Sequence, residues 1–578
     1  MESQLLKPKS RTKSAGDPRD RFARDKRTGI ANQVTVAVAS QPSRTAILIV
    51  LFLASIVPAA LLLTCLRVRE ARGPLWLGSN SDPSYAYLFN SLLLTEHHVP
   101  TLVEHPGTVC QVLGAKVLTC VHRFRRPGRL VDDVLRDPEF YLNFMNTTLL
   151  LLYAAALAAS GYLVWRSCGS WLAAAMYQLA PWASFTCLLH LCFLEPEPLL
   201  LTTSTVFGAL VVMYVTRPNS AFANRFALPL GAVAALALGS KITALPLVII
   251  GLVLLPGVRS RLVFLSIVAG GSFLVTLPIL SKYIAVYDWF RANATHVGDY
   301  GSGATGLIDP QRYLGDLGAL VIAEKVLTVT VTLSMAVIAM SWLLPACQTR
   351  DDRFRLVRRA LAAVVLGQLV SFLIASKRPS GHYLMTSLGL VGLNLVLIHQ
   401  LLRAQWYRAW LAHALVGGFL LWAGHGQWIG IPSEIARLEA HKQVQLRVGQ
   451  ECHSRYLGRP VIYFYRSSSL GFALDFGSSF SGQYFATALQ VAHPELITYN
   501  IWSGSYYHFS ERLSTDMVET LNRKAIWQGS PSVMQDPNYR PREVNLRPVL
   551  DAEEEDLFEP IRGADEPEIR QHPQAGTD

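Results

Sequence analysis

Apolar residues gather in long runs separated by short polar connections. Nine runs read as membrane-crossing helices, each of which takes about 20 residues: Thr45–Cys65, Phe144–Trp165, Trp171–Leu191, Leu199–Val215, Leu262–Leu280, Val326–Pro345, Leu356–Ala375, Tyr383–Leu402 and Ala409–Ala423. The stretch Phe226–Pro256 is either one over-long helix holding Lys241 or a tight hairpin with Lys241 at its tip. Short inner loops collect Lys and Arg. With a hairpin, Arg166, Arg217, Arg225, Arg259, Arg261, Arg350, Arg353, Arg355, Arg358, Arg359, Arg403 and Arg408 all fall on the side of the basic N-terminus. A single helix would send the Arg350–Arg359 group to the other side. The chain therefore reads as an α-helical polytopic membrane protein with about 11 transmembrane helices, N-terminus inside and C-terminus outside. The two hairpin arms are short, at about 15 residues each, for a core of ~30 Å.

The polar remainder sets the domains. Residues 1–43 read as a disordered basic cytoplasmic segment, and 44–430 as the transmembrane domain, with a long outer loop at 67–142. Within that loop, Pro83–Leu94 and Thr108–Phe124 have apolar residues at helical spacing but too few to cross, so interfacial helices are expected. Residues 431–530 read as a small outer α/β unit, with strands at Pro460–Arg466 and Ile497–Trp502 and helix across Leu470–Val491. Residues 531–578, rich in Pro, Glu and Asp, read as a disordered acidic tail.

Composition agrees with a membrane protein. Of 578 residues, 51% are hydrophobic and 16% charged, against about 25% charged in soluble domains. This excludes a disordered protein, a disulfide scaffold and a secreted single domain. The net charge of +11 is uneven: residues 1–44 hold ten Lys/Arg against four acids, and residues 551–578 ten acids against two arginines. Beside an apolar span, the basic head reads as a topology determinant, and no nucleic-acid partner is expected. No signal peptide is expected, and the eight cysteines show no metal spacing.

Candidate chemistry lies on the outer side. Asp82 stands in Ser81-Asp82-Pro83-Ser84-Tyr85, followed by Glu104 and His105; Glu195 and Glu197 occupy a proline-flanked turn; Lys241 caps the hairpin; Lys377, Arg378, His382 and Tyr383 fill the turn before the tenth span. Polar groups beside spans tend to mark function, and a basic turn on the side that should lack Lys and Arg suits a bound anion. Each also has a plainer reading. Asp82-Pro83 can start a helix, Lys241 can snorkel to headgroups, and Lys377 and Arg378 can meet lipid phosphate. Asn146-Thr147-Thr148 and Asn293-Ala294-Thr295 match the glycosylation sequon, which arises easily by chance.

At these residues the chain resembles the GT-C superfamily of polytopic glycosyltransferases, in particular the group of protein mannosyltransferases and aminoarabinose transferases. The likeness covers roughly residues 44–430. It rests on Ser81-Asp82-Pro83-Ser84-Tyr85 and His105-Pro106-Gly107-Thr108 after one basic-flanked span. Ala237-Leu238-Gly239-Ser240-Lys241-Ile242-Thr243-Ala244-Leu245 is similar to the "LGxAxxTKxTAL" hairpin, departing at Ala234-Ala235 and Ser240. Lys377-Arg378-Pro379-Ser380-Gly381-His382-Tyr383 is similar to the "KxxHYxxP" turn, with Met385-Thr386 where Pro is usual.

The resemblance implies an inverting transferase that moves a sugar from a polyprenyl-phosphate donor to a glycan, lipid or protein acceptor at the outer face of a cell membrane, as in a bacterial inner membrane. Asp82 would be the catalytic base. Lys377, Arg378, Lys241, His382 and Tyr383 would bind the donor phosphate, and Glu195, Glu197, Tyr85 and His105 would position donor or acceptor. Some relatives need a divalent metal ion; here Pro83 stands where a second acid often follows the Asp. Two other readings stay open at this point: a transporter or flippase of lipid-linked sugar, and an inactive assembly protein on the same fold.

Overall fold

A computed structural model describes residues 44–104, 107–125, 128–216, 220–297, 301, 303–343, 352–405, 409–534, 536, 539, 544, 546–550 and 556–560. Arg44–Leu51 forms a helix in a unit of its own, and a second unit begins at Phe52. Among the described residues of that unit seven helices are long and apolar enough to cross a membrane: Phe52–Arg72, Pro138–Cys168, Glu197–Thr216, Gly257–Val275, Lys325–Leu343, Asp352–Ala375 and Gly381–Arg403. Their ends follow local chemistry. Pro138 opens one, where a missing N–H costs nothing, and Gly169 closes it at φ 64, its N–H on the Trp165 carbonyl. The chain is a multi-pass membrane protein by these helices.

Two of the eleven expected spans come out differently, and the two hairpin arms are shorter apolar helices. Trp171–Leu191 is broken into Trp171–Gln178, the 3₁₀ turn Ala180–Ala183 and Phe185–His190. Pro181 cannot continue the helical ladder, and the Ser184 hydroxyl caps a new helix through the Thr186 N–H. The last span does not stop at Ala423. One helix runs Ala409–Arg455, 47 residues or about 70 Å. Beyond Pro432 it is held by Glu434–Arg437 and Glu451–Arg455 pairs of 2.8 and 2.5 Å. Lys442 donates to the Glu70 carbonyl at 2.9 Å, docking this helix on the end of Phe52–Arg72. The start of the α/β unit therefore moves from 431 to beyond Arg455.

The hairpin arms Ser220–Ser240 and Leu245–Leu254 flank Lys241, whose backbone is extended (φ −161, ψ 140). A Cβ on Gly231 would meet Ile267, one on Gly239 would meet Val275, and the Ser272 hydroxyl donates to the Ala235 carbonyl. The partners advance together, so Ser220–Ser240 and Gly257–Val275 run parallel and the chain between them runs back. Leu245–Leu254 lies antiparallel to Asp352–Ala375: Gly367 packs on Ile250 and Pro246, while Arg359 Nε donates to the Val253 carbonyl at 2.6 Å. Arg261 and Arg359 thus share one end of the bundle, and Lys241 and Arg378 the other.

The long outer loop forms the helices Ser81–Thr95 and Thr108–Arg125. The first has no face left for lipid, since every residue from Ser84 to Leu93 is buried. This corrects the expected interfacial role. Its cover is the α/β unit: Gly477 lies so close to Phe89 that a Cβ would clash. Asn90 Nδ2 donates to the Phe480 carbonyl at 2.8 Å, while its Oδ1 accepts from the Thr101 and Leu102 N–H groups at 2.8 and 2.9 Å. Asn146 of the sequon is buried too, with Nδ2 on the Leu191 and Phe193 carbonyls, so it offers no glycosylation site.

The α/β unit holds a seven-stranded sheet: β1 Val461–Tyr463, β2 Ile497–Asn500, β3 Ser505–His508, β4 Glu511–Arg512, β5 Ile526–Gly529, β6 Leu546–Leu550 and β7 Asp556–Pro560, in the order β4-β3-β2-β1-β5-β7-β6. β1 pairs in parallel with β2 and β5, and the rest pair antiparallel. β6 and β7 fall in the stretch expected to be a disordered tail. Phe558 of β7 is buried against Trp527, which explains why that stretch joins the fold. The disordered reading of 1–43 and 561–578 lies outside the described residues.

Two outcomes follow. Asn90→Ala leaves buried donors and acceptors unmet, at a cost on the order of 3 kcal/mol, seen as a lower unfolding temperature and easier proteolysis between the helical part and the α/β unit. An unchanged protein would show that the Asn90 network does not hold the two together. Reporter fusions after Arg261 and Arg359 should show one compartment and those after Ser240 and Arg378 the other; the same signal at all four would refute the hairpin.

Candidate active site

At the Lys241 end of the bundle lies a cavity of about 760 Å³ between the helix ends and the α/β unit. Asp82 reaches it from the turn after Phe52–Arg72. Asn80 fixes that turn by donating to the Arg72 and Pro74 carbonyls at 3.3 and 3.2 Å. Asp82 is extended (φ −94, ψ 122), its peptide bond to Pro83 is cis, and the helix proper follows. Its carboxylate is open to water in the cavity yet ringed by protein. Burial raises its pKa above the ordinary aspartate value, and Arg466 and Arg378 pull part of that rise back.

The floor is built by the turn Glu195-Pro196-Glu197-Pro198. His190 Nδ1 bonds Glu195 at 2.5 Å, and Glu197 takes the Lys241 ammonium. All of Glu195, Glu197 and Lys241 are buried. Tyr383 lies with its ring 4.9 Å from Lys241 Nζ, and the His382 ring lies 4.1 Å from the Tyr383 ring and 5.4 Å from that of His190. Ser380 holds His382 Nδ1 at 2.7 Å.

The structure sorts the expected residues. Asp82, Glu195, Glu197, Lys241, Arg378, His382 and Tyr383 line the cavity. Lys377 does not: its ammonium turns away to the Asn293 carbonyl. Tyr85 does not either, because its phenol is fully buried and donates to Glu139 at 3.1 Å. His105 lies outside the described residues. Lys241 reaches the cavity already paired, so its charge is balanced by Glu197 and is not a free phosphate cation. A metal clamp of Asp82, Glu195 and Glu197 does not fit this arrangement, since His190 and Lys241 occupy the two glutamates. Among the described residues no group of three His, Cys, Asp or Glu is placed to hold a metal.

Several lining residues escaped the sequence reading. Tyr87 comes from the outer loop, which also supplies the Glu104 noted in the sequence, and His190 from the broken span. The roof comes from the α/β unit: Tyr465 and Arg466 follow β1, and Asn500 and Trp502 end β2. The Arg466 guanidinium sits 5.3 Å from the Tyr465 ring, which meets Trp502 edge-on at 5.5 Å. β1 and β2 are neighbouring parallel strands, and ligands gather at the carboxyl ends of such strands. That rule, applied to the two strands expected from sequence, was the available signal. The arrangement brings the Asp82 and Glu104 carboxylates and the Arg378 and Arg466 guanidinium groups into one cavity, with aromatic faces above and the buried Lys241–Glu197 pair below.

No protein-family model matches the chain, and no curated protein matches it. Among solved structures it is similar to ArnT from Cupriavidus metallidurans bound to undecaprenyl phosphate, at 13% identity and a TM-score of 0.46, over 87% of this chain and 97% of that one.

Proposed function

We propose that this chain is a membrane glycosyltransferase that moves a sugar from a polyprenyl-phosphate donor to an acceptor hydroxyl at the outer face of a cell membrane. The observation that carries the reading is the meeting of Asp82 and Arg378, from distant loops, in one cavity at the helix ends. A lipid-linked donor reaches such a cavity from the bilayer, while the acceptor enters beneath the α/β roof. The resemblance to GT-C transferases in the Asp82 and Arg378 motifs points the same way.

In this mechanism Asp82 takes the proton of the acceptor hydroxyl as its oxygen attacks the anomeric carbon. The bond from that carbon to the phosphate oxygen breaks on the opposite face, so configuration inverts. Polyprenyl phosphate leaves with the bond's electron pair. Arg378 and Arg466 stabilise the charge that grows on it, the kind of preorganised electrostatics that often supplies the largest rate term. Guanidinium forks suit phosphate oxygens. Tyr383, Tyr465 and Trp502 offer aromatic faces to the sugar ring. Lys241 and Glu197 act as a fixed floor that orients Tyr383 and His382. No step is routed through a metal.

The test is transfer from radiolabelled polyprenyl-phosphate sugars to membrane acceptors. Asp82→Asn should lower turnover about 10²–10⁴-fold with donor binding kept, whereas Arg378→Ala should weaken binding and turnover together, because phosphate is charged in both ground and transition states. Full turnover by a folded Asp82→Asn protein would move the base elsewhere. The pH profile gives a second check. A base works deprotonated, so kcat/KM falls as pH drops through the Asp82 pKa, and burial sets that limb above the usual aspartate value. Arg466 favours the charged carboxylate; Arg466→Gln should shift the limb to higher pH. A limb that stays put or moves down would count against Asp82.

A further inference from the structure

At the opposite end of the bundle a second cavity, of about 440 Å³, opens between the end of Pro138–Cys168, the start of Asp352–Ala375 and the end of Gly381–Arg403. Asp352–Ala375 alone spans about 36 Å, so this cavity lies roughly a bilayer core away from Asp82. Arg353 and Arg403 line it from two different helices. Among the described residues that line it, none is acidic.

Arginines on this end of the bundle have a plain explanation, as topology determinants that spread over the headgroups. Three features go beyond it. The arginines converge on a cavity. His399, which also lines it, is only 2% exposed, and its Nε2 has no hydrogen-bond partner. A buried polar atom left unmet costs free energy, and a ligand atom in the cavity removes that cost. Finally, the N-terminus of the helix Trp171–Gln178 adjoins the same space through Ser170 and Ala173; the Ser170 hydroxyl caps the Ala173 N–H at 3.3 Å, so what this end adds is the positive end of a helix dipole. Gln400 completes the wall, with its Nε2 on the Cys168 sulfur at 3.1 Å and its Oε1 unpartnered.

We infer that this cavity is a binding site for a phosphate group, carried by an anionic lipid headgroup or by a free phosphate. Two guanidinium forks and an imidazole are donors that suit tetrahedral oxyanions, and the positive end of a helix dipole adds to them. Basic pockets between membrane helices on the positively flanked side take phosphate headgroups. The site is independent of the Asp82 cavity and of the sugar-transfer reading. Its occupant would tie together three helices whose far ends carry or adjoin Glu139, Arg378 and His382.

The test uses the full chain in detergent, with phosphatidylglycerol, phosphatidylcholine of the same acyl chains, and inorganic phosphate as separate probes, and native mass spectrometry as readout. Wild type should retain phosphatidylglycerol or phosphate in preference to phosphatidylcholine. Arg353→Gln with Arg403→Gln should weaken that binding at least about tenfold, while Arg259→Gln, on the same end of the bundle but outside the cavity, should leave it within about twofold. Retention of phosphatidylglycerol alone identifies a lipid headgroup, and retention of inorganic phosphate identifies a free anion. Equal binding of phosphatidylcholine, or an equal loss in Arg259→Gln, would overturn the site. A second readout needs no variant that must fold. Cys168 lines the cavity, so either anionic probe should slow its maleimide labelling several-fold in the wild-type protein, read by peptide mass. An unchanged rate with every probe would also overturn it.

Discussion

The structure turns on the buried pair of Lys241 and Glu197. An ammonium or carboxylate taken out of water alone costs several kcal/mol even after relaxation, so neither side chain can sit where it does without the other. Their places in the chain suit the charges. Glu197 stands in the first turn of Glu197–Thr216, and Lys241 directly follows the last turn of Ser220–Ser240. Each charge therefore faces the helix-dipole end that favours it. The pair fastens the hairpin tip to the proline-flanked turn. Once that turn is fixed, Glu195 meets His190, and Tyr383 and His382 lie over the ammonium and beside it. The cavity floor is thus set by one ionic contact between segments far apart in sequence.

The roof depends on a different kind of contact. Ser81–Thr95 is buried from Ser84 to Leu93 because the α/β unit closes over it, with Gly477 allowing Phe89 to approach and Asn90 tying the Phe480 carbonyl to Thr101 and Leu102. Asp82 stands where this helix begins. Closure sets Arg466 beside Asp82 and limits water around it, which raises the carboxyl while the guanidinium restrains the rise. Folding of the α/β unit and the chemistry at Asp82 are therefore coupled through the same few residues.

Much of this was legible in the chain. Hydropathy found the seven long helices, and the sidedness of arginines gave the reversal at Lys241, because both signals are local and repeated. Trp171–Leu191 was read as one span because its apolar content hides the break that Pro181 and Ser184 impose. The helix beyond Ala423 was missed because the apolar run ends there, whereas the Glu and Arg pairs after Pro432 sustain the helix. β6 and β7 were hidden in acidic, proline-rich sequence, and they are ordered by the pairing of β7 with β5 and of β6 with β7. Within the site, Arg378 and Lys377 are neighbours in sequence and could not be told apart, yet one lines the cavity and the other reaches Asn293. Tyr85 and Tyr87 were equally alike, and both are buried in one core, yet Tyr87 alone of the two also lines the cavity. Arg466 and Trp502 stand at the carboxyl ends of two strands legible in the sequence, but that they roof the Asp82 cavity depends on how the α/β unit docks.

The most direct measurement is an experimental structure of the protein with polyprenyl phosphate bound. The phosphate should lie in the Asp82 cavity against Arg378, with its chain leaving between the helix ends and the sugar position within reach of the Asp82 carboxylate. Phosphate bound away from Arg378, or a lipid chain that leaves the cavity filled by protein, would contradict a transfer site there.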